Sequence, residues 1–301
     1  MSPSRAPRSP RTIAPRTARA GLRSRAARLI AVCALAVPAL LASTAGNAAA
    51  DQARPGFHDH AMGSTIAAHE GPGAPSLAPS LMPSGPKGID VSHWQGSINW
   101  NSVYNDGIRF AYIKATGGTS YTDPRFDANY IHSYNQGLIR GAYHFARPNY
   151  SSGATQARFF VNNGGGWSAD GKTLPPLLDI EYNPSGGTCY GKSDAGMVRW
   201  IKNFSDTVKN LTGRYPAIYT TNDWWRQCTG NSGAFRSTNP LMIARWSSSV
   251  GQLPNFPTWT IWQYTATGRV SGVSGNVDRD VFNGSLSRLR AFARCTNENP
   301  C

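Results

Sequence analysis

The candidate chemistry of this sequence centres on two acids that stand two positions apart. Asp179 and Glu181 lie in the apolar stretch 177–182, which follows Pro175 and Pro176 and precedes a loop rich in turn residues. Such a stretch predicts a short buried strand that ends at a loop. Since side chains alternate along a strand, the two acids point the same way, with Cα atoms roughly 6.5–7 Å apart. Neighbouring carboxylates resist ionising together, which lets a protein keep one proton donor and one anion at neutral pH.

A pair of solvated acids at a strand end is the simpler interpretation of so short a pattern. Whether the pair is catalytic instead depends on the elements that position it. From residue 87 onward, short apolar runs alternate with helical patterns. Strands are predicted at 88–91, 110–115, 141–145, 177–182, 217–220, 241–244, 260–263 and 277–282, and helices at 123–136, 151–161 and 193–211. This alternation favours a single α/β domain, an irregular TIM-like β/α barrel of eight strands. The last three strands are separated by turns too short for full helices, so we expect short or antiparallel connections there.

An open, doubly wound sheet is the alternative fold. No glycine-rich phosphate fingerprint follows the first predicted strand, and Gly164-Gly165-Gly166 is better explained as a turn that ends a helix. The barrel is therefore the fold that we expect.

Further acids and aromatic residues occupy the places where a barrel of this kind holds catalytic groups, the carboxyl ends of its strands. Asp90 and Asp278 join Asp179 and Glu181 there, with Asp280 close behind. The candidate substrate contacts are aromatic: Trp94, Tyr112, Tyr143, Tyr182, Trp246 and Tyr264. Each aromatic residue alone is better explained as part of the core or the rim than as a glycan contact. Acids set among aromatic rings are, however, what a groove for glycan chains needs, because sugar rings have apolar faces.

The first residues of the chain have the character of a secretory signal. Residues 1–50 contain eight arginines and no acid, an apolar run at 29–41 and a small-residue end at 48–50. We therefore expect export to the extracellular space, with a retained membrane anchor as the alternative. Residues 51–86, rich in Ala, Pro, Gly and Ser, predict a disordered propeptide or linker. The catalytic domain is expected at 87–294, followed by a tail at 295–301.

Charge and cysteines restrict the partners. Without residues 1–50 the formal net charge falls from +14 to +6, which suits an anionic polymer, whereas the lack of a dense Lys/Arg cluster disfavours nucleic acid. Four cysteines remain, and of three possible pairings we favour Cys189–Cys228 and Cys295–Cys301, since each pair lies within one local region. Neither cysteines nor histidines have metal-ligand spacing. We expect no metal, no cofactor and a monomer.

Six motifs occur in order along the domain. They are Gly88-Ile89-Asp90-Val91-Ser92-His93-Trp94-Gln95-Gly96, Tyr112-Ile113-Lys114-Ala115-Thr116, Gly141-Ala142-Tyr143-His144-Phe145, Leu178-Asp179-Ile180-Glu181, Trp262-Gln263-Tyr264 and Val277-Asp278. Together they resemble the family 25 glycoside hydrolases, the Chalaropsis-type lysozymes or N-acetylmuramidases. The resemblance covers about residues 87–293 and is nearest to secreted actinomycete lysozymes of that family, which have a cysteine pair placed like Cys189 and Cys228.

The resemblance implies an irregular β/α barrel that hydrolyses the β-1,4 bond between N-acetylmuramic acid and N-acetylglucosamine in peptidoglycan. Some similar enzymes also accept 6-O-acetylated muramic acid. By position, Glu181 matches the proton donor to the leaving oxygen, and Asp179 matches the acid that assists the substrate's own acetamido group. Asp90 and Asp278 match further acids of the groove. Similar sequences often read Lys-Ala-Thr-Glu-Gly where this chain has glycines after Thr116, so a loop carboxylate common in the family is missing.

Substrate assistance predicts retained stereochemistry, and single displacement with Asp90 or Asp278 as base, which inverts it, is the alternative. Two other functions remain open from the sequence. One is a chitinase-like hydrolase of other N-acetylated glycans, and the other is a glycan-binding barrel without catalysis.

Overall fold

The computed structural model describes residues 59–71 and 84–295. Its strands are β1 (Lys87–Val91), β2 (Ile108–Gly117), β3 (Tyr121–Thr122), β4 (Ile139–Phe145), β5 (Leu177–Asp179), β6 (Ala217–Thr221), β7 (Leu241–Ala244), β8 (Ile261–Gly268) and β9 (Val277–Phe282). Within the described ranges, all of these except β3 form one ring in the order β1-β9-β8-β7-β6-β5-β4-β2, which closes through pairing of β1 with β2. The short β3 pairs only with the end of β2. The predicted irregular barrel is confirmed.

The last barrel strand runs against its neighbours. Strands β1, β2 and β4 to β8 are mutually parallel, whereas β9 is antiparallel to both β1 and β8. Asp278 lies at the amino end of β9, and not at a carboxyl end as the sequence argument assumed. The reversal nevertheless brings it directly opposite Asp90 on β1. We call this end of the barrel, where the carboxyl ends of the parallel strands meet, the mouth.

Helices surround the ring. They are α1 (Ile66–Glu70), α2 (Trp100–Asn105), α3 (Phe126–Asn135), α4 (Gly153–Asn162), α5 (Asp194–Thr212), α6 (Asn222–Thr229) and α7 (Leu286–Arg294). Helix α5 buries one apolar face along most of its length, against α4. Gly153 permits this contact, because a Cβ there would lie 2.3 Å from the carbonyl oxygen of Trp200. None of the described helices is long and apolar enough to cross a bilayer.

The acid-bearing strand is shorter than predicted. β5 ends at Asp179, so Glu181 lies two residues beyond it. The Ile180 amide still donates a hydrogen bond of 3.0 Å to the carbonyl oxygen of Tyr219 on β6. This bond continues the strand geometry by one residue and keeps the two acids on the same side.

A disulfide anchors the loop that follows. Cys189 and Cys228 are bonded, with Cα atoms 5.2 Å apart, which ties this loop to α6. That pairing is confirmed, whereas Cys301, the expected partner of Cys295, lies outside the described residues.

Residues 59–71, which we call the mouth segment, correct the prediction that all of 51–86 is disordered. A turn leads into α1, and Met62 and Ile66 are buried in the same core as the barrel strands, with 2% and 3% of their surface exposed. Two apolar anchors in a stretch of small and polar residues produce no periodicity, so the sequence did not signal them. The expected signal at 1–50 lies outside the described residues.

Candidate active site

The four predicted acids converge at the mouth. Asp179 and Glu181 come from the end of β5, and Asp90 and Asp278 from the neighbouring strands β1 and β9. Between them lies Tyr219 of β6, whose pKa is raised by burial and further by the negative charges of these same four carboxyls. The first three acids are almost completely buried, and Asp278 is partly exposed.

Gln263 links the cluster together, a role that sequence reasoning missed. Its amide nitrogen donates to Asp90 at 2.8 Å, and its amide oxygen accepts from the Tyr219 hydroxyl at 2.8 Å and from the indole of Trp246 at 2.9 Å. A polar residue between Trp262 and Tyr264 in an apolar strand was the available signal. In a small barrel such a residue has to face the interior, because the opposite face packs against helices.

Lys114, which the sequence marks only as part of one of the six motifs, also belongs to the site. It stands among the apolar residues of β2, is 1% exposed, and forms an ion pair with Asp59 of the mouth segment. Its ammonium group also donates to the carbonyl oxygen of His60 at 2.5 Å. The positive charge lowers the pKa of Asp179, against larger opposing effects.

Burial dominates the protonation of the cluster. It raises the pKa of Glu181 to about 7, although hydrogen bonds from Thr65 and Gly63 act in the opposite direction. Burial likewise raises the pKa of Asp90 to about 7, against the hydrogen bond from Gln263. Burial, followed by the charge of Glu181, raises the pKa of Asp179 well above its usual range. The cluster therefore binds protons near neutral pH, which a proton donor requires.

Asp179 is buried with few hydrogen-bond donors. Among the described residues, only the Glu181 carboxyl shares a hydrogen bond with its oxygens, although the side chain is 1% exposed. Buried polar atoms are nearly always satisfied in native proteins. An acid left in this state can accept a proton from Glu181 or a hydrogen bond from a ligand N–H.

Four of the six predicted aromatic residues lie around the acids or at the rim of the mouth. The Tyr143 hydroxyl accepts from the Met62 amide at 3.2 Å, and the Tyr182 ring stacks on His69 with centroids 4.0 Å apart. Trp246, half-buried, reaches Gln263, and Trp94 is 63% exposed on the turn after β1. These positions suit contacts with a long ligand.

The structure places the other two predicted aromatic residues away from the four acids. Tyr112 is fully buried, and its hydroxyl donates at 3.0 Å to the carbonyl oxygen of Pro175, which precedes β5 and so lies toward the opposite end of the barrel. Tyr264 alternates with the inward-facing Gln263, so its ring faces outward, where the Lys87 ammonium lies 5.8 Å from the centroid. Both residues support the barrel wall.

Among the described residues, no group of three or more His, Cys, Asp or Glu side chains has the arrangement needed to hold a metal ion. The chemistry that the arrangement can perform is proton transfer between carboxyls and a ligand held in the mouth.

Comparisons with known proteins bear on this geometry. The family model described as glycosyl hydrolases family 25 matches residues 89–273. Lysozyme M1 of Streptomyces globisporus is 59% identical over 214 residues, which cover 71% of this chain and 73% of that protein. An N,O-diacetylmuramidase of Chalaropsis sp is 46% identical over 212 residues, covering 69% and 98%. The crystal structure of a Streptomyces coelicolor lysozyme matches with a TM-score of 0.70 at 58% identity, over 71% of this chain and 99% of that one.

Proposed function

Because the chain belongs to glycosyl hydrolase family 25 and is therefore a glycoside hydrolase, we propose that it is a secreted, monomeric endo-N-acetylmuramidase. Its substrate is peptidoglycan, in which it cleaves the β-1,4 bond between N-acetylmuramic acid and N-acetylglucosamine. Relatives named lysozyme and N,O-diacetylmuramidase support this substrate class. The observation that carries the proposal is the buried pair Asp179 and Glu181, which hold raised pKa values side by side at the mouth.

Glu181 is the general acid. With its pKa raised to about 7 by burial, a substantial part of the population carries a proton at neutral pH. That proton passes to the bridging oxygen as the bond to the anomeric carbon breaks. Water then adds to the anomeric carbon in the second step and returns a proton to Glu181, so the enzyme ends as it began.

Asp179 assists the substrate. With the proton of the pair on Glu181, Asp179 is an anion whose oxygens have no other partner among the described residues, and the acetamido N–H of the muramic acid ring would donate to it. Accepting that hydrogen bond increases the electron density on the acetamido carbonyl oxygen, which attacks the anomeric carbon in place of an enzyme nucleophile. This double displacement predicts that the first product has the same anomeric configuration as the substrate.

Asp90, Asp278 and the aromatic rim complete the proposed site. Asp90 is held by Gln263, and its closeness to Glu181 helps to keep protons in the cluster. Tyr143, Tyr182, Trp246 and Trp94 are proposed to contact the sugar rings on either side of the scissile bond.

Digestion of purified sacculi followed by mass spectrometry of the fragments tests the proposal. Gly63 and Thr65 of the mouth segment donate hydrogen bonds to Glu181. The assay is therefore run on the intact chain and also on a variant with a protease recognition sequence between residues 71 and 84, after cleavage at that sequence. We expect reducing-end muramic acid, and a loss of about 100-fold or more in kcat for Glu181→Gln. Asp206→Asn, an exposed acid paired with Lys202 on α5, is the matched control and should retain full activity. Reducing-end glucosamine, cleaved peptides, or release of fragments from chitin alone would refute the proposed substrate.

Proton NMR of the first-formed anomer tests the mechanism separately. A β product supports substrate assistance by Asp179. An α product would instead indicate single displacement with Asp90 or Asp278 as the base.

A further inference from the structure

The mouth segment makes direct contact with the proposed general acid. The Gly63 amide donates to one carboxyl oxygen of Glu181 at 2.7 Å, while the Thr65 amide and hydroxyl donate to the other at 3.1 and 2.5 Å. Both oxygens of Glu181 are thus occupied by donors from a part of the chain more than a hundred residues away.

These contacts oppose acid catalysis in two ways. Hydrogen bonds that are donated to a carboxyl favour its ionised form, and those from Thr65 and Gly63 lower the pKa of Glu181 against the effect of burial. These bonds therefore reduce the share of Glu181 that carries the proton a leaving group needs. The segment also fills the space beside these oxygens, where the bridging oxygen of a glycan would have to lie.

Apolar anchors hold the segment in this position. Met62 and Ile66 are buried, and Gly63 between them has a positive φ of 75°. A Cβ at Gly63 would lie 3.0 Å from the Tyr219 hydroxyl and 3.2 Å from the ring of Trp246. The segment therefore lies directly against the barrel at the point where it meets the catalytic cluster.

Polar contacts hold the segment on both sides of these anchors. Asp59 forms its ion pair with the buried Lys114, and its other oxygen lies 3.1 Å from Nδ1 of His93. At the far end, Glu70 accepts a hydrogen bond of 2.7 Å from Tyr182. Next to that end a cleft of about 440 Å³ remains open, lined by residues of the segment and by Tyr182 and Trp246. The segment thus occupies part of a longer groove.

The barrel does not need these residues to be complete. The family model begins at residue 89, after the segment. The Streptomyces coelicolor lysozyme is covered over 99% of its own length by 71% of this chain, a share close to that of residues 87–301.

We propose that residues 59–71 are an intramolecular inhibitor, which occupies the glycan groove and engages both carboxyl oxygens of the general acid until the segment is displaced. The inference rests on the proposed function of the same site, and it adds a latent state that the enzyme has to leave. A chain that spends about 99% of its time covered would show a kcat/KM about 100-fold below that of the open enzyme.

The first test compares two substitutions within the segment, in the full chain. Ile66→Asp places a charge at a buried anchor and should release the segment, whereas Ala68→Asp places the same charge at an exposed position of α1. We expect kcat/KM on a soluble peptidoglycan fragment to rise about 100-fold for Ile66→Asp, and to stay unchanged for Ala68→Asp. Neither residue belongs to the barrel, so its thermal unfolding serves as a check on folding.

A glycine pair tests the close approach independently. Gly63→Ala would bring a Cβ against Tyr219 and Trp246, whereas Gly71→Ala, at a similar positive φ of 85°, meets nothing within 4 Å. Both variants carry the same kind of backbone strain. Only the Gly63 variant should activate the enzyme.

A synthetic peptide of residues 59–71, added to the Ile66→Asp chain, completes the test. We expect it to raise KM without changing kcat, and to raise the thermal midpoint of that chain. Equal activity of the native and Ile66→Asp chains would refute the proposal that the segment is an inhibitor. A peptide that neither inhibits nor stabilises the chain would refute it as well. If the peptide stabilises the chain while every form is inactive on sacculi, the segment binds as proposed and the assigned substrate is wrong.

Discussion

Replacing Gln263 by Met tests whether this one amide organises the acid cluster. The substitution keeps the length of the side chain but removes three hydrogen bonds, of 2.8, 2.8 and 2.9 Å. A buried hydrogen bond contributes about 1 kcal/mol net, and about 1.5–3 kcal/mol when one partner is charged, as Asp90 can be. The free energy of unfolding should therefore fall by about 3–5 kcal/mol. The pKa of Asp90 should rise, because the hydrogen bond that lowers it is gone.

Gln156→Met is the matched control. Gln156 is also fully buried and makes hydrogen bonds of 2.7–3.1 Å with His144, Arg147 and Ser151, none of which the proposed site uses. Urea unfolding should show similar losses of stability for both variants. Only Gln263→Met should lower kcat/KM, and the limb of its pH profile that reports on Asp90 should move to higher pH. Equal activity of the two variants at equal folded fraction would refute a positioning role for Gln263.

Three further outcomes follow from the structure. Converting Cys189 and Cys228 together to Ala removes a bond that spans a sequence separation of 39 residues. Urea unfolding should show that the free energy of unfolding falls by about 4 kcal/mol, as the chain-entropy relation gives. A fall below about 1 kcal/mol would show that the loop is ordered without the bond. Burial raises the pKa of Glu181 from 4.5 to about 7, so the folded chain binds this proton more tightly than the unfolded chain does. The resulting stability is present below the ordinary value and is lost as pH rises through about 7, and the difference between urea midpoints at pH 5 and pH 8 should shrink in Glu181→Gln. Tyr112→Phe removes a wall hydrogen bond and should lower stability by about 1 kcal/mol with unchanged kcat/KM, whereas Trp94→Ala, at an exposed position, should raise KM and leave stability unchanged.

The sequence sufficed for the acids because their positions follow from strand alternation alone. Asp179 and Glu181 share a side once the strand is recognised, even though β5 ends earlier than predicted. The sequence pattern did not predict why Asp278 lies in the site. It lies at the start of a strand, and only the antiparallel pairing of β9 with β1 places it opposite Asp90.

The aromatic residues and the mouth segment show where such reasoning stops. Tyr264 follows an inward-facing residue, so the correct register would have excluded it from the groove, but the sequence does not state which of two alternating faces is inward. The contacts of the segment with Glu181 come largely from backbone amides of Gly63 and Thr65. Every residue except proline carries that donor, and its use therefore leaves no mark in the pattern of side chains.

The reversed strand β9 also determines where the polypeptide leaves the barrel. Val281 of β9 pairs with Lys87, the first residue of β1, so both lie at the end opposite the acids. Helix α7 remains near that end, where the Phe292 carbonyl oxygen accepts a hydrogen bond from Arg214, just ahead of β6. A carrier protein or a solid support joined after α7 would consequently be attached at the end of the barrel opposite the groove. The groove would stay accessible to a substrate as large and rigid as the proposed one, the cell wall.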